Sequence, residues 1–308
     1  MWLKFLAVTA LGLAAAGPCR ADCASFTGDS VNITYDPLGG SATLGRFQPL
    51  ALTIRRGQSS GGGPVDNVTA QFMDQGQSGP IFRLDGGPTY VIADQDNAEV
   101  IVHQSSPPLV DGQTFSVGFS NRAAQARTAA ARPVNGLSLS VPPGQDVAAG
   151  VYSATLDVQF RCGQGHGVGD VRLQTGVLPV AITVPSVLSV NLAGGGEKGT
   201  IDFDQFEALT RSANVQVRST GAFSLEIHAE HAGRMVLLGT AGGKGREIPY
   251  SLAFNGGAIA LDTHVSYPRT GVGGLSMPLA VTVGDISDER SGAYKDTLTL
   301  VFTPKATL

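Results

Sequence analysis

The stretch Gly150-Val-Tyr-Ser-Ala-Thr-Leu-Asp-Val-Gln-Phe-Arg-Cys162 decides how this chain folds. Successive side chains of an extended chain point to opposite sides, so Leu156, Val158, Phe160 and Cys162 share one face and Thr155, Asp157, Gln159 and Arg161 the other. The alternation predicts a half-buried strand with Cys162 on its core face. The stretch also has a double. Leu137 to Phe160 matches Leu279 to Phe302 at a constant offset of 142, without a gap. Leu137, Leu139 and Val141 answer to Leu279, Val281 and Val283, and Asp146 answers to Asp288. Gly150, Tyr152, Thr155, Leu156 and Phe160 answer to Gly292, Tyr294, Thr297, Leu298 and Phe302. An apolar strand, a polar turn and Gly-x-Tyr-x-x-Thr-Leu leading into an alternating strand recur as one frame. A tyrosine placed just before a core strand is a candidate corner residue whose hydroxyl bonds backbone. A weaker echo joins Phe115, Ser116 and Phe119 to Tyr250, Ser251 and Phe254.

Two tandem copies of one β-domain follow from the repeat, with the boundary near Val184-Pro185-Ser186. The rest of the chain reads the same way. Val31 to Tyr35, Phe47 to Ile54, Ile81 to Leu84, Thr89 to Ile92, Glu99 to His103 and Thr114 to Phe119 are short apolar runs between turn residues. Such spacing predicts β-sandwiches. With 41 Gly and 17 Pro in 308 residues, turns are frequent. Only Asn121 to Arg132, rich in Ala and Arg, reads as a helix, or else as a mobile loop. The fold class expected is all-β: two tandem Ig-like sandwiches, residues 22–183 and 184–308.

The copies differ at their ends. After Phe160 the first continues through a Gly-rich turn, Gly163 to Gly169, into two more runs, Val171 to Gln174 and Val177 to Val184. After Phe302 the second has only Thr303 to Leu308. The second domain is therefore expected to lack its last strand. That would leave an apolar groove and unpaired edges, which a strand from another chain can cover.

Residues 1–21 read as a secretory signal peptide. Lys4 gives the positive start, and Phe5 to Ala16 is apolar but too short to span a bilayer. Cleavage before Asp22 fits the small residues Cys19 and Ala21; cleavage after Ala16 is the alternative. Loss of Lys4 and Arg20 takes the 21 basic residues to 19 against 25 acidic ones, a mature charge of −6. There is no basic cluster, so nucleic acid is not an expected partner. Two cysteines remain, Cys23 and Cys162, read as a disulfide in an exported chain or else as two unpaired buried thiols.

No catalytic constellation stands out, and no enzyme activity, cofactor or metal site is expected. His228-Ala-Glu230-His231 lacks the spacing of a helical zinc motif, and in a strand His231 would point away from His228 and Glu230. Leu238 to Gly245 departs from a phosphate loop at both ends, and Gly163 to Gly169 lacks a βαβ frame. Gly57-Gln-Ser59-Ser-Gly61 runs into Gly62-Gly63-Pro64 instead of the helix that a nucleophile elbow requires. Candidate surface-binding loops are those with apolar tips: Gly86 to Tyr90, through Pro88 and Tyr90, and Ser106 to Val110, through Pro107, Pro108, Leu109 and Val110. The competing reading buries Leu109 and Val110 at the end of a strand.

The turn Tyr35-Asp36-Pro37-Leu38-Gly39-Gly40 and the closing Gly292-Ala-Tyr294-Lys-Asp296-Thr297 resemble signatures of the spore coat protein U domain family, which includes the pilins of archaic chaperone–usher pili. Val217-Arg-Ser219, Leu225-Glu-Ile227 and Ile248-Pro-Tyr-Ser-Leu252 add to the likeness, which covers most of residues 184–308 and only the ends of the first domain. The second domain departs from the family in lacking cysteines. The resemblance implies a secreted, non-enzymatic pilus subunit at the cell surface. Its implied partners are a subunit donating a strand, a periplasmic chaperone, an outer-membrane usher and a surface or receptor of unknown identity. Ordinary subunits of such pili donate an N-terminal extension of roughly ten residues. Here at most six mature residues precede Cys23. Accepting a strand without donating one implies a tip adhesin. A coat or pilus-shaft protein is the alternative. A periplasmic chaperone fits less well with the mature charge and the incomplete second domain, and a carbohydrate-active enzyme would need a carboxylate pair in a cleft.

Overall fold

The computed structural model describes residues 23–39, 48–57, 65–74, 82–83, 86–93, 114–119, 131–164, 167–204, 209–239 and 244–305. These residues form strands and turns, with no helix among them. The first unit carries β1 (Ala24–Gly28), β2 (Val31–Thr34), β3 (Gln48–Pro49), β4 (Leu52–Arg56), β5 (Asn67–Met73), β6 (Phe82–Arg83), β7 (Thr89–Ala93), β8 (Phe115–Gly118), β9 (Ala131–Val134), β10 (Ser138–Ser140), β11 (Gly150–Gln164) and β12 (Gly167–Val184). The second carries β13 (Leu188–Leu192), β14 (Thr210–Ser219), β15 (Phe223–Ala229), β16 (Arg234–Leu237), β17 (Glu247–Phe254), β18 (Gly257–Ile259), β19 (Val265–Tyr267), β20 (Gly271–Val283), β21 (Tyr294–Lys295) and β22 (Leu298–Pro304).

In the first unit the sheet β2-β12-β11-β5-β8 faces the sheets β1-β4-β9 and β3-β10-β7-β6. Strand alternation explains the core between them. Leu156, Val158 and Phe160 of β11, Val68, Ala70 and Phe72 of β5, and Ile54 and Leu139 opposite are all buried in one cluster. Phe26 packs edge-on against Phe160, with ring centroids 5.2 Å apart. The second unit has its own core, built on Val215, Val217, Phe223, Leu225, Ile227, Phe254 and Met277. It lies between the sheet β13-β14-β20-β17-β16-β21 and the smaller sheet β19-β15-β22. Cys23 and Cys162 form a disulfide with Cα atoms 6.3 Å apart, fastening the chain beside β1 to β11 of the opposing sheet.

Several expectations need correction. The runs Val171 to Gln174 and Val177 to Val184 are parts of one strand, β12. A bulge lies between them, opposite Leu156 to Val158. Gly176 permits it by adopting φ +72°, and its N–H donates to Asp157 Oδ1 at 2.9 Å. Phe47 to Ile54 is divided between two sheets, because β3 pairs with β10 and β4 pairs with β1. The segment Asn121 to Arg132 lies mostly outside the described residues. Its last two residues, Ala131 and Arg132, belong to β9, where pairing with β4 overrides the helix preference of alanine. Glu99 to His103 also lies outside the described residues.

The weak echo between Phe115 and Tyr250 does not reflect equivalent strands. Tyr250 lies on β17, which pairs with β20. In the first copy it is β7 that pairs with β10, the counterpart of β20. Ile92 faces Leu139 as Leu252 faces Val281, so the true counterpart of Tyr250 is Tyr90.

Residues 185–187 join the units. Thr220, 1% exposed, holds this link from both sides: its hydroxyl donates to Pro185 O at 2.7 Å, and Val187 N–H donates to that hydroxyl oxygen at 2.8 Å. Its carbonyl accepts from Ala149 N–H of the first unit at 2.8 Å. Asp146 reaches across as well, accepting from the Arg269 guanidinium and from Val272 N–H.

Candidate functional site

The first unit shows what a completed sheet looks like. There β11 is flanked by β12 on one side and β5 on the other, both antiparallel. The constant offset puts β22 in the place of β11, and β22 pairs with β15 as β11 pairs with β5. Among the described residues, no strand takes the place of β12, and the second edge of β22 has no ladder partner. Burial records the difference. Leu156, Val158 and Phe160 are 0%, 0% and 2% exposed. Their counterparts Leu298, Leu300 and Phe302 are only partly buried. In the opposing sheet, Leu188, Val190 and Leu192 of β13 are likewise only partly buried.

A second counterpart emerges with the structure. Ile33-Thr-Tyr35-Asp36 reads again as Ile201-Asp-Phe203-Asp204. In the first unit Ile33 lies on β2, paired in parallel with β12 opposite Ile182. In the second, residues 199–203 form no strand. In the first unit the strand that draws this segment into a ladder is β12, whose place beside β22 no described strand takes. The sequence carried this signal, but the offset of 168 differs from that of the main repeat.

In the first unit the apolar part of β12 pairs with Gly150 to Leu156, the counterparts of Gly292 to Leu298, while Val171 to Gln174 face Val158 to Arg161, the counterparts of Leu300 to Thr303. Leu178, Val180, Ile182 and Val184 alternate inward and are 0%, 1%, 0% and 2% exposed. An extended segment with apolar residues at every second position, antiparallel to β22, has the matching chemistry. Each apolar side chain fully buried this way contributes about 1.5–3 kcal/mol.

The repeated tyrosines have the same geometry. Tyr152 OH donates to Ala148 O at 2.9 Å, and Tyr294 OH donates to Arg290 O at 2.7 Å, each four residues back. Gly292 lies so close to Leu237 Cδ1 that a Cβ would collide with it, whereas Gly150 has room for one, 3.6 Å from the Tyr152 ring. Tyr152→Phe is expected to cost about 1 kcal/mol by losing a half-buried hydrogen bond. Tyr294→Phe, at an exposed site, is expected to cost a few tenths. Urea unfolding of the two variants measures both.

Asp296 of the closing motif is a structural carboxylate. Its side chain is 3% exposed. One oxygen accepts from His231 N–H, His231 Nδ1 and Thr297 N–H, and the other from Tyr250 OH at 2.6 Å. Burial first, then this hydrogen bond and the carboxylate charge, push the Tyr250 hydroxyl well above the usual tyrosine range. Burial, with Asp74 nearby, does the same to Tyr90.

Two of the proposed contact residues are corrected. Tyr90 is 0% exposed on β7, and Pro88 is buried beside it. The loop folds inward because Gly87 lies directly on the Tyr152 ring, where any Cβ would collide. Neither residue offers a contact surface. Pro107, Pro108, Leu109 and Val110 lie outside the described residues, as do most of Gly57 to Pro64 and the centre of Leu238 to Gly245. The Gly-rich stretch after Phe160 is the β11–β12 hairpin.

The histidines are placed differently than the sequence suggested. β15 ends at Ala229, so Glu230 sits in a turn and does not share a strand face with His228. His228 instead shares its face with Glu226, two residues earlier, and meets Asp262 from the segment after β18. A shallow hollow lies beside β17 and β18, lined by Tyr250, Ser251, Leu252, Ala258, Ile259, Ala260 and Leu261, with no carboxylate among them. No helix among the described residues is long and apolar enough to cross a membrane.

Solved structures similar to this chain include tip adhesins and chaperone–tip adhesin complexes. A chaperone–tip adhesion subunit pre-assembly complex from archaic Csu pili of Acinetobacter baumannii aligns at 13% identity over 91% of this chain and 99% of the other, with a TM-score of 0.42. The CupB6 tip adhesin from Pseudomonas aeruginosa aligns at 13% identity over 91% of this chain and 94% of the other, with a TM-score of 0.40. A chaperone–tip adhesin complex of CFA/I fimbriae gives 11% identity, 90% and 96% coverage and a TM-score of 0.43. No family model matches the chain, and no curated protein matches it. The likeness to the spore coat protein U domain rests on the turn and strand residues themselves.

Proposed function

We propose that this protein is a non-enzymatic, secreted pilus subunit whose second unit is completed by a strand from another chain, and that it works as a tip adhesin of a chaperone–usher pilus. The observation that carries the proposal is the free edge of β22, with Leu298, Leu300 and Phe302 half-buried where Leu156, Val158 and Phe160 are sealed. An unpaired edge beside apolar side chains is an aggregation hazard unless something covers it. In this reading a periplasmic chaperone covers it first and a neighbouring subunit later, at an outer-membrane usher. The first unit, whose sheet is closed by its own β12, presents the adhesive surface to a receptor still to be identified. In the first unit Cys23 is bonded to Cys162, and its carbonyl accepts from Gly57 N–H.

The test supplies the missing strand from the protein's own first unit. A copy of residues 177–184 is fused after Leu308 through a flexible turn, so that it can run antiparallel to β22. A second variant carries serine at the four inward positions of the copy. The apolar copy is expected to raise the second unit's thermal midpoint by at least about 5 °C and to protect the β22 amides from exchange, and the serine copy to do neither. Unfused protein in which β22 is already fully protected, and a midpoint that the apolar copy does not move, would overturn the proposal.

A further inference from the structure

Four metal-ligating side chains meet on the solvent face of the incomplete sheet. Glu226 and His228 stand two residues apart on β15, and Asp262 and His264 come from the segment between β18 and β19. Glu226 Oε2 lies 3.8 Å from His228 Nε2 and 3.4 Å from His264 Nε2. The other ring nitrogen of His228, Nδ1, lies 2.6 Å from Asp262 Oδ1. Glu226, His228 and Asp262 each offer a ligand atom within 4.8 Å of the others.

We propose that Glu226, His228 and His264 bind a zinc ion, with Asp262 as the residue that positions His228. Zinc bonds imidazole nitrogen and carboxylate oxygen at about 2.0–2.2 Å in tetrahedral geometry, which sets its ligand atoms about 3.3–3.5 Å apart. The Glu226–His264 separation already has that span, the Glu226–His228 separation needs to close by a few tenths of an ångström, and the exposed His264 ring, which stands outside the group of Glu226, His228 and Asp262, must swing toward His228 to complete the set. Two imidazoles and one carboxylate are a donor set that suits zinc better than calcium or magnesium, which take oxygen ligands. Three protein ligands leave a fourth position for water. Asp262 supplies what histidine ligands of zinc usually have, a carboxylate that accepts the hydrogen bond from Nδ1–H and turns Nε2 toward the metal. The backbone fixes Asp262 in place: it adopts φ +55°, and its N–H donates to Ile227 O of β15 at 3.0 Å. The second histidine group differs. There His231 donates to Asp296, whose oxygens are already occupied by backbone and tyrosine donors.

The site ties the segment before β19 to β15, so zinc would brace the sheet that contains the free edge. The test titrates chelator-treated full-length mature protein with zinc chloride in competition with a chromogenic zinc indicator. Thermal midpoints are recorded with and without zinc. The strand-fused protein is measured alongside, so an unstable second unit is not mistaken for a missing site. One zinc per chain is expected, at micromolar affinity or tighter, with a midpoint rise of several degrees. Asp262→Ala should weaken binding about 10- to 100-fold. Joint replacement His228→Ala and His264→Ala should abolish it, and His231→Ala should leave it unchanged. The proposal is overturned by affinity weaker than about 100 μM, by calcium binding equally well, by loss of binding in the His231 variant, or by wild-type affinity in the double variant.

Discussion

Replacing Cys23 and Cys162 together by alanine is expected to lower the thermal midpoint of the first unit by about 10–20 °C and to leave the second unit's transition in place. The bridge spans a sequence separation of 139. Closing a loop of that length in the unfolded chain corresponds to about 5 kcal/mol in the chain-entropy account. For a unit of this size, each kcal/mol moves the midpoint by about 2–4 °C. The loss is comparable to the net stability of a typical domain, so reduced or cysteine-free protein should accumulate with its first unit largely unfolded at elevated growth temperature. Both cysteines are buried, at 5% and 3% exposure, and an alanine pair leaves only a small void. Calorimetry of the oxidised, reduced and alanine forms resolves the effect. Equal midpoints for all three would refute it.

The second large effect comes from matched substitutions at repeat-equivalent sites. Phe160→Ala is expected to cost about 3–5 kcal/mol, the usual range for a fully buried phenylalanine. Phe160 touches Phe26 and lies between β5 and β12, so the site cannot collapse to fill the cavity. Phe302→Ala, at the equivalent position, should cost about half as much or less, because its ring is already partly in water. It still stacks near Phe223 and Phe254, with centroids 6.1 and 6.0 Å away, so some loss remains. When the strand copied from residues 177–184 is fused to the chain, the penalty at Phe302 should rise toward that at Phe160. Equal penalties without the added strand would mean that β22 is already sealed.

The class of fold was legible because its strongest signal is local. The alternation from Leu156 to Cys162 needs only one face in the core, and the repeat at offset 142 spans a strand, a turn and a strand, the last of which pairs in the same register with β5 in one copy and β15 in the other. The corner tyrosines were legible for the same reason, since Tyr152 and Tyr294 bond backbone only four residues away. What escaped depends on distant parts of the chain. Tyr90 and Tyr250 are equivalent in register but sit at an offset of their own, after loops of different length. Pro88 and Tyr90 read as an exposed tip because glycine and proline flank them, but the Tyr152 ring draws that loop inward. Ala131 and Arg132 are claimed for β9 by β4, a contact no local propensity reports. The cluster at His228 joins residues 34 and 36 positions further on, and only the return of the chain from β18 to β19 brings them together.

The junction between the units has a mechanical consequence. Tension applied to the two units passes through residues 185–187, but Thr220, Asp146 and the backbone of Ala149 carry part of the load in parallel. The same link is hooked to the end of β22, because Ser186 Oγ donates to Lys305 O at 2.8 Å. A pull strong enough to straighten the link therefore tugs on the last residue after the open-edged strand. In the proposed reading, a strand seated along β22 would therefore also stiffen the joint.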